Sequence, residues 1–335
     1  MGKVRDPSIH LKLGHLLNKY PHASVDKIYK IARKRKIIGS INTVWNTLEY
    51  MEKNRIILNV EPLIKNFKNY ENMHYILRTE DWEEFLEKFV FQLRDQIEVV
   101  LYMDAYGETF IYLKAHNKLP IPGNCEILES HVWTNFISIL PHSVSAKDLE
   151  ANLKTEPETE STLNDFTMDE DLAWNNEMWD TFYWLRVNYR MSHTDLGRLI
   201  GKAPQTAYRR RKFIDQFIHV DYPIFIGGSE SYELLFFSFQ TKYPSFFVDV
   251  LSKNTAISYV IQTEAGRTVC FINTTIPRIV NDAMSKYENM GTIQDLKKMQ
   301  MTNRWDPILE DYTKGIIPER YFWMFKIGIK KRKKL

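Results

Sequence analysis

The 335-residue chain holds only two cysteines, Cys125 and Cys270. That excludes a disulfide framework and any cysteine-rich zinc module. Uninterrupted apolar runs all fall short of the roughly 18 residues that a membrane-crossing helix needs. The opening MGKVRDPSIH lacks the apolar stretch of a secretory signal, and Asp6 stands where a myristoylation signal places Ser or Thr. A cytoplasmic chain without a membrane partner is therefore expected. Glycine and proline are modest at 13 each, which sets aside collagenous and low-complexity classes. Walker loops, GxSxG elbows and HExxH helices are absent as well. Of nine histidines, His10 and His15, or His131 and His142, match no metal-ligand spacing. No metal, no cofactor and no enzymatic activity are expected.

What the chain does have is charge gathered in blocks. Its length suits about two domains of roughly 150 residues. Formal net charge is +3, yet residues 145–180 carry eleven acids against Lys147 and Lys154. Basic residues concentrate in Lys27–Lys36, Arg209–Lys212 and Lys326–Lys334. Clustered Lys and Arg attract a polyanion over about a Debye length. The stretch 143–174, rich in Glu, Asp, Ser and Thr and poor in large apolar residues, reads as an acidic flexible linker.

On either side of that stretch the two halves repeat one plan. Tyr50–Lys53 parallels Phe213–Gln216, Phe85-Leu86 parallels Phe246-Phe247, and Gly107-Glu108-Thr109 parallels Gly266-Arg267-Thr268, all at an offset of about 160 residues. Each half opens with three helical patterns. In the second half Ser192 can cap a helix, Gly201 can end it in a left-handed turn, and Pro204 suits the first turn of the next. On that next helix Ala207 and Ile214 point inward, while Gln205, Tyr208, Arg209 and Lys212 point outward, flanked by Arg210 and Arg211. Residues 219–226 read as a pair of short strands. In the first half Val44, Leu48 and Met51 point inward and Asn42, Asn46, Glu49 and Lys53 outward, with Arg33 and Lys34 one helix earlier.

Both halves then turn to a β/α pattern. The second half gives β-α-β-β-α-β, a ferredoxin-like order. The first half follows it as far as Ala115, and Leu119–Gly123 then interrupts where a second helix should start. Residues 126–140 suit either a helix or a strand. The fold class expected is α+β: two winged helix-turn-helix domains, each followed by a ferredoxin-like domain, the first copy incomplete. The expected boundaries are 1–66 and 70–142, the linker 143–174, then 175–228 and 230–303, and an aromatic and basic extension 304–335.

The stretch SHTDLGRLIGKAPQTAYRRRKFIDQFIHV, residues 192–220, resembles the helix-turn-helix of the Lrp/AsnC (feast/famine) transcriptional regulators, and the tandem plan resembles that family duplicated in one chain. The family's glycine-rich ligand loop is not evident near Gly107 or Gly266. The resemblance implies a sequence-specific DNA-binding transcription regulator. Double-stranded DNA would be its partner, a small molecule its effector, and homo-oligomers would form through the ferredoxin-like sheets. It places Gln205, Thr206, Tyr208, Arg209 and Arg211 on the reading helix, with Lys212 beside them. Asn42, Asn46, Arg33 and Lys34 are the counterparts in the first half. Glutamine and asparagine can read adenine, arginine can read guanine, and the remaining cations can hold phosphates. Two alternatives share the plan: a siroheme decarboxylase-like enzyme, and a scaffold that uses the helical units for protein contacts. The regulator reading requires the cationic side of the helix after Pro204 to face solvent.

Overall fold

The computed structural model describes residues 6–60, 62–79, 81–105, 108–163 and 166–318. Polar caps set the helix starts in the first half. Asp6 accepts from the Ser8 N–H at the head of α1 (Pro7–Lys19), Ser24 from Lys27 at α2 (Val25–Lys34), and Ser40 from Thr43 at α3 (Ile41–Lys53). There follow β1 (Leu63–Ile64), β2 (Asn72–Arg78) and a short α4 (Trp82–Phe85) that runs on as one π-helical turn, Leu86–Val90. The half closes with β3 (Ile97–Ala105), β4 (Glu108–His116), β5 (Glu126–Ile139) and α5 (Ala146–Asn152). Of residues 126–140, which suited either a helix or a strand, Glu126–Ile139 form one long strand, and no helix lies between β4 and β5.

The second half starts with α6 (Asn176–Val187), α7 (His193–Leu199) and α8 (Pro204–Ile214). Ser192 caps α7 by accepting from the Asp195 N–H at 3.1 Å, Gly201 takes φ +63° just past its end, and Pro204 opens α8. Next come β6 (Ile218–His219), β7 (Glu233–Thr241), α9 (Pro244–Leu251), β8 (Ser258–Thr263), β9 (Arg267–Thr274), α10 (Pro277–Asn289), β10 (Ile293–Trp305) and α11 (Pro307–Thr313).

These elements gather into two units that mix the halves. The helical unit takes the described residues among 6–64, 173–231 and 311–318. Leu13, Leu17, Ile28, Val44, Leu48 and Met51 form the buried side of the first three helices, and Phe182, Leu185, Leu196, Ala207 and Ile214 that of α6–α8. The segments after α3 and α8 pair with each other: β1 lies antiparallel to β6, Ile57 bridges Ile224, and the Phe225 N–H donates to the Ile56 carbonyl at 2.7 Å. The short strand pair expected over 219–226 is thus replaced by pairing across the two halves.

The second unit, residues 65–172 and 232–310, is an eight-stranded antiparallel barrel in the order β10-β3-β4-β2-β5-β8-β9-β7, closed by β7 on β10. Two long strands make the closure. β5 pairs with β2 through its first part and with β8 through its second. β10 pairs with β7 and then with β3. The last sheet strand of each half therefore crosses into the other half's sheet, and edges that would invite a second copy are used within one chain. The fold is mixed α and β, and its β part is this barrel together with the β1–β6 pair. The acidic segment is tied down along much of its described length: Leu149 and Leu153 sit in the apolar cluster with Phe247 and Tyr287, and Phe166 and Leu172 are buried.

Candidate functional site in the barrel interior

Strand alternation decides what lines the barrel, because successive side chains point to opposite faces. Met73, Tyr75 and Leu77 of β2 and Ile111, Leu113 and Ala115 of β4 pack outward against Phe85 and Phe89. Leu235, Phe237 and Phe239 of β7 and Cys270 and Ile272 of β9 pack outward against α9 and α10. The intervening residues face inward. Tyr112, Phe236 and Phe271 form an aromatic group there, with ring centroids 5.0–5.6 Å apart. His74, Glu129, Ser238, Arg267 and Lys297 are polar groups on inward registers.

Glu129, on β5 near the crossing between the two sheets, is the hub. Its side chain is 2% exposed. Ser238 Oγ donates to it at 2.9 Å, Lys297 Nζ at 2.5 Å, and Arg267 Nε lies 3.1 Å away. Arg267 also donates from Nε to Ser238 Oγ at 2.9 Å and from its terminal nitrogens to the Asp295 carboxylate and carbonyl, at 2.5 and 2.9 Å. Burial alone would push the Glu129 carboxyl up. The neighbouring His74 N–H, Lys297 and Arg267 outweigh it and hold the group down at about 2. A carboxylate so held stays ionised and cannot serve as a general acid near neutrality.

Two histidines border the hub. His74 is fully buried, with Nε2 3.8 Å from Glu129 Oε2, beyond hydrogen-bond reach. His131 meets it edge-on at 5.7 Å between centroids and is half-buried. Burial, joined by His74 and Arg267 and opposed by Glu129, lowers His131 below its ordinary value, so it is a neutral base at pH 7. The cluster reaches solvent through Lys297, 31% exposed, and Asp295, 61% exposed. Farther along, Tyr70 Oη and His116 Nε2 are 2.8 Å apart, His116 Nε2 lies 3.1 Å from Glu98, and Glu98 pairs with Lys114. A surface hollow at Arg78, Asp81, Glu84 and Glu126 is the weaker candidate, since its one lining cation is already held by Glu108 and Glu126 at 2.7 and 3.2 Å.

The residues expected to read DNA belong to the helical unit. Gln205, Tyr208, Arg209 and Lys212 are exposed on α8, and Thr206 is half-buried. Arg33, Lys34 and Asn42 are exposed on α2 and α3, and Asn46 is half-buried. Arg211, however, is buried: it donates to the carbonyls of Met191 (3.2 Å) and Tyr189, contacts His22 Nδ1 at 2.5 Å, and lies over the Tyr189 ring. Arg210 is buried against Glu177 of α6. Half of the Arg209–Lys212 run, Arg210 and Arg211, therefore serves internal packing, while Arg209 and Lys212 stay exposed. Tyr321–Phe325 and Lys330–Lys334 of the C-terminal extension lie outside the described residues.

The barrel cluster escaped sequence reasoning because each of its members looks ordinary alone. Two signals were available: a histidine inside the apolar run NMHYILR, and Glu129, His131 and Trp133 at period two in ESHVW. Both put polar groups on the buried side of a strand.

No protein-family profile and no curated protein matches the chain. Among solved structures, the siroheme decarboxylase NirDL is similar over 92% of this chain and 98% of its own, at 6% identity and a TM-score of 0.44. The same enzyme in complex with an iron-uroporphyrin III analogue is similar over 93% and 98%, at 5% identity and a TM-score of 0.40. These neighbours are enzymes. The expectations of an Lrp/AsnC transcription regulator, of double-stranded DNA and an effector as partners, and of no enzymatic activity are corrected on this finding; of the residues expected on the reading helix, Arg211 is the buried one. Among the described residues no helix is long and apolar enough to cross a membrane, and no cluster of metal-ligand type occurs.

Proposed function

We propose that the chain is an enzyme of acid–base type acting on a carboxylated molecule, with Glu129, Arg267, Lys297, His131 and His74 as its working centre. One observation carries this reading: a buried, ionised Glu129 gathers two cations and a hydroxyl inside a barrel, near the inward aromatic group of Tyr112, Phe236 and Phe271. Such a cluster is costly to desolvate, and grouped charges with a displaced proton equilibrium are characteristic of working sites. Lys297, half in solvent, meets an incoming carboxylate first, and Arg267 behind it supplies a second positive charge. Glu129 keeps both cations in place. His131 takes or returns the proton. Loss of a carboxyl group from a tetrapyrrole is the specific form of this chemistry that we favour.

In the finer architecture we read each half as a winged helix-turn-helix unit followed by a ferredoxin-like unit, joined by the acidic connector 143–174. The helical units then hold the two halves together.

The test adds iron-uroporphyrin III to the full-length chain and follows the absorbance of the pigment, with the octamethyl ester as control. Saturable binding of the acid, at least tenfold tighter than of the ester, is expected, and loss of a carboxyl group should slow in His131→Gln. Equal binding of acid and ester would contradict the reading.

A further inference from the structure

Within the barrel cluster, the direction of one donor is set by a residue outside the charge network. An indole N–H can only donate. Trp133 Nε1 lies 3.0 Å from His74 Nδ1, and both residues are buried. Nδ1 is therefore the acceptor, and the proton of the neutral ring sits on Nε2. That Nε2 has no hydrogen-bond partner among the described residues and stands 3.8 Å from Glu129 Oε2. It is an unspent donor aimed at the hub.

The surroundings hold the arrangement. The Lys114 ammonium, paired with Glu98, lies over the Trp133 ring at 5.0 Å. A cation over an indole face draws electron density from the ring and makes its N–H a better donor. Tyr112 of β4 stacks on His74 with centroids 5.8 Å apart and planes 18° from parallel, and His131 of β5 meets its edge. Arg267 of β9 and Lys297 of β10 stand on Glu129.

We infer that Trp133 is a positioning residue that locks His74 in the Nε2–H form, so that His74 acts on a bound carboxylate or developing oxyanion as a neutral hydrogen-bond donor and not as a base. This rests on the proposed reading of the cluster as a site. In that role His74 complements Arg267 and Lys297 with direction, and it leaves the proton transfer to His131.

The experiment is a long-range proton–nitrogen correlation spectrum of the full-length chain labelled with 15N-histidine, recorded alone and with iron-uroporphyrin III. In the unaltered chain His74 should show a protonated Nε2 and a bare Nδ1, and its Nε2 proton should shift when the pigment is added. Trp133→Phe keeps an aromatic ring but removes the donor. The Nδ1–H form should then rise from undetected to a share comparable with the other, and the pigment-induced shift should be lost. Lys114→Met should produce a smaller rise. A protonated Nδ1 in the unaltered chain overturns the inference without any variant, and so does an unchanged tautomer ratio in a folded Trp133→Phe. A tautomer lock seen in a chain that does not bind the pigment would sink the site reading instead.

Discussion

Two buried clusters of charge, one in each unit, show how differently the same residue types can be used. In the helical unit Arg211 spends its terminal nitrogens on the carbonyls of Met191 and Tyr189 and on His22, while Asp215 receives the Tyr189 hydroxyl at 2.7 Å and His22 at 2.8 Å. His22 belongs to the first half and the rest to the second, so this cluster ties the two helical triads together. Arg190 reinforces the tie by donating to the carbonyls of Pro21 and Ala23 at 3.3 and 2.5 Å. In the barrel most partners are side chains, Ser238, Lys297 and Arg267 on Glu129, and the Asp295 carbonyl is the one backbone group named among them. A cluster closed by backbone carbonyls works as glue. One closed mostly by side chains can exchange a partner for a ligand.

That contrast can be broken by substitution. The largest effect is expected from Arg267→Ala, which leaves Glu129 buried with Lys297 as its remaining cation; removing one partner of a buried pair costs about 3–5 kcal/mol, seen as a lowered denaturation midpoint for the barrel. Next is acid. The folded value of Glu129, about 2, lies below its ordinary 4.5, so its contribution is fully present above pH 4.5 and is lost as pH falls toward 2. That window is worth about 3 kcal/mol. Denaturation curves across it should be steeper for the unaltered chain than for Glu129→Gln, and parallel curves would count against the ionised hub. Arg211→Ala should cost about 2–3 kcal/mol by leaving Asp215 short of positive charge and two buried carbonyls unsatisfied, while ligand binding in the barrel stays intact. The smallest effect is expected from Arg209→Ala, an exposed site where about 0.5 kcal/mol or less is usual.

The helical starts were legible in the sequence because caps and breakers are local. Ser192, Gly201 and Pro204 act within a turn of where they stand. Three helices ahead of the sheet strands in each half were legible too, from their apolar spacing. How the halves combine was not, because β5 and β10 change partners midway along their length, and nothing in either strand's own pattern marks the point of crossing. The same blindness put Arg211 among the DNA-reading residues and Arg210 beside them. A charged residue on a helix looks exposed until Glu177 and the backbone around Tyr189 are known to lie against it. The barrel site depends on contacts between residues as far apart as Glu129 and Lys297, and such pairings exist only once the barrel closes.

The central claim is that binding belongs to the barrel cluster and not to the exposed cations of α8. It is tested most directly by the affinity of the carboxylated probe for three chains: unaltered, Lys297→Met, and Arg209→Ala with Lys212→Ala. The account predicts at least a tenfold loss in Lys297→Met and no change in the double variant. Unchanged affinity in the first, or a loss confined to the second, would contradict it.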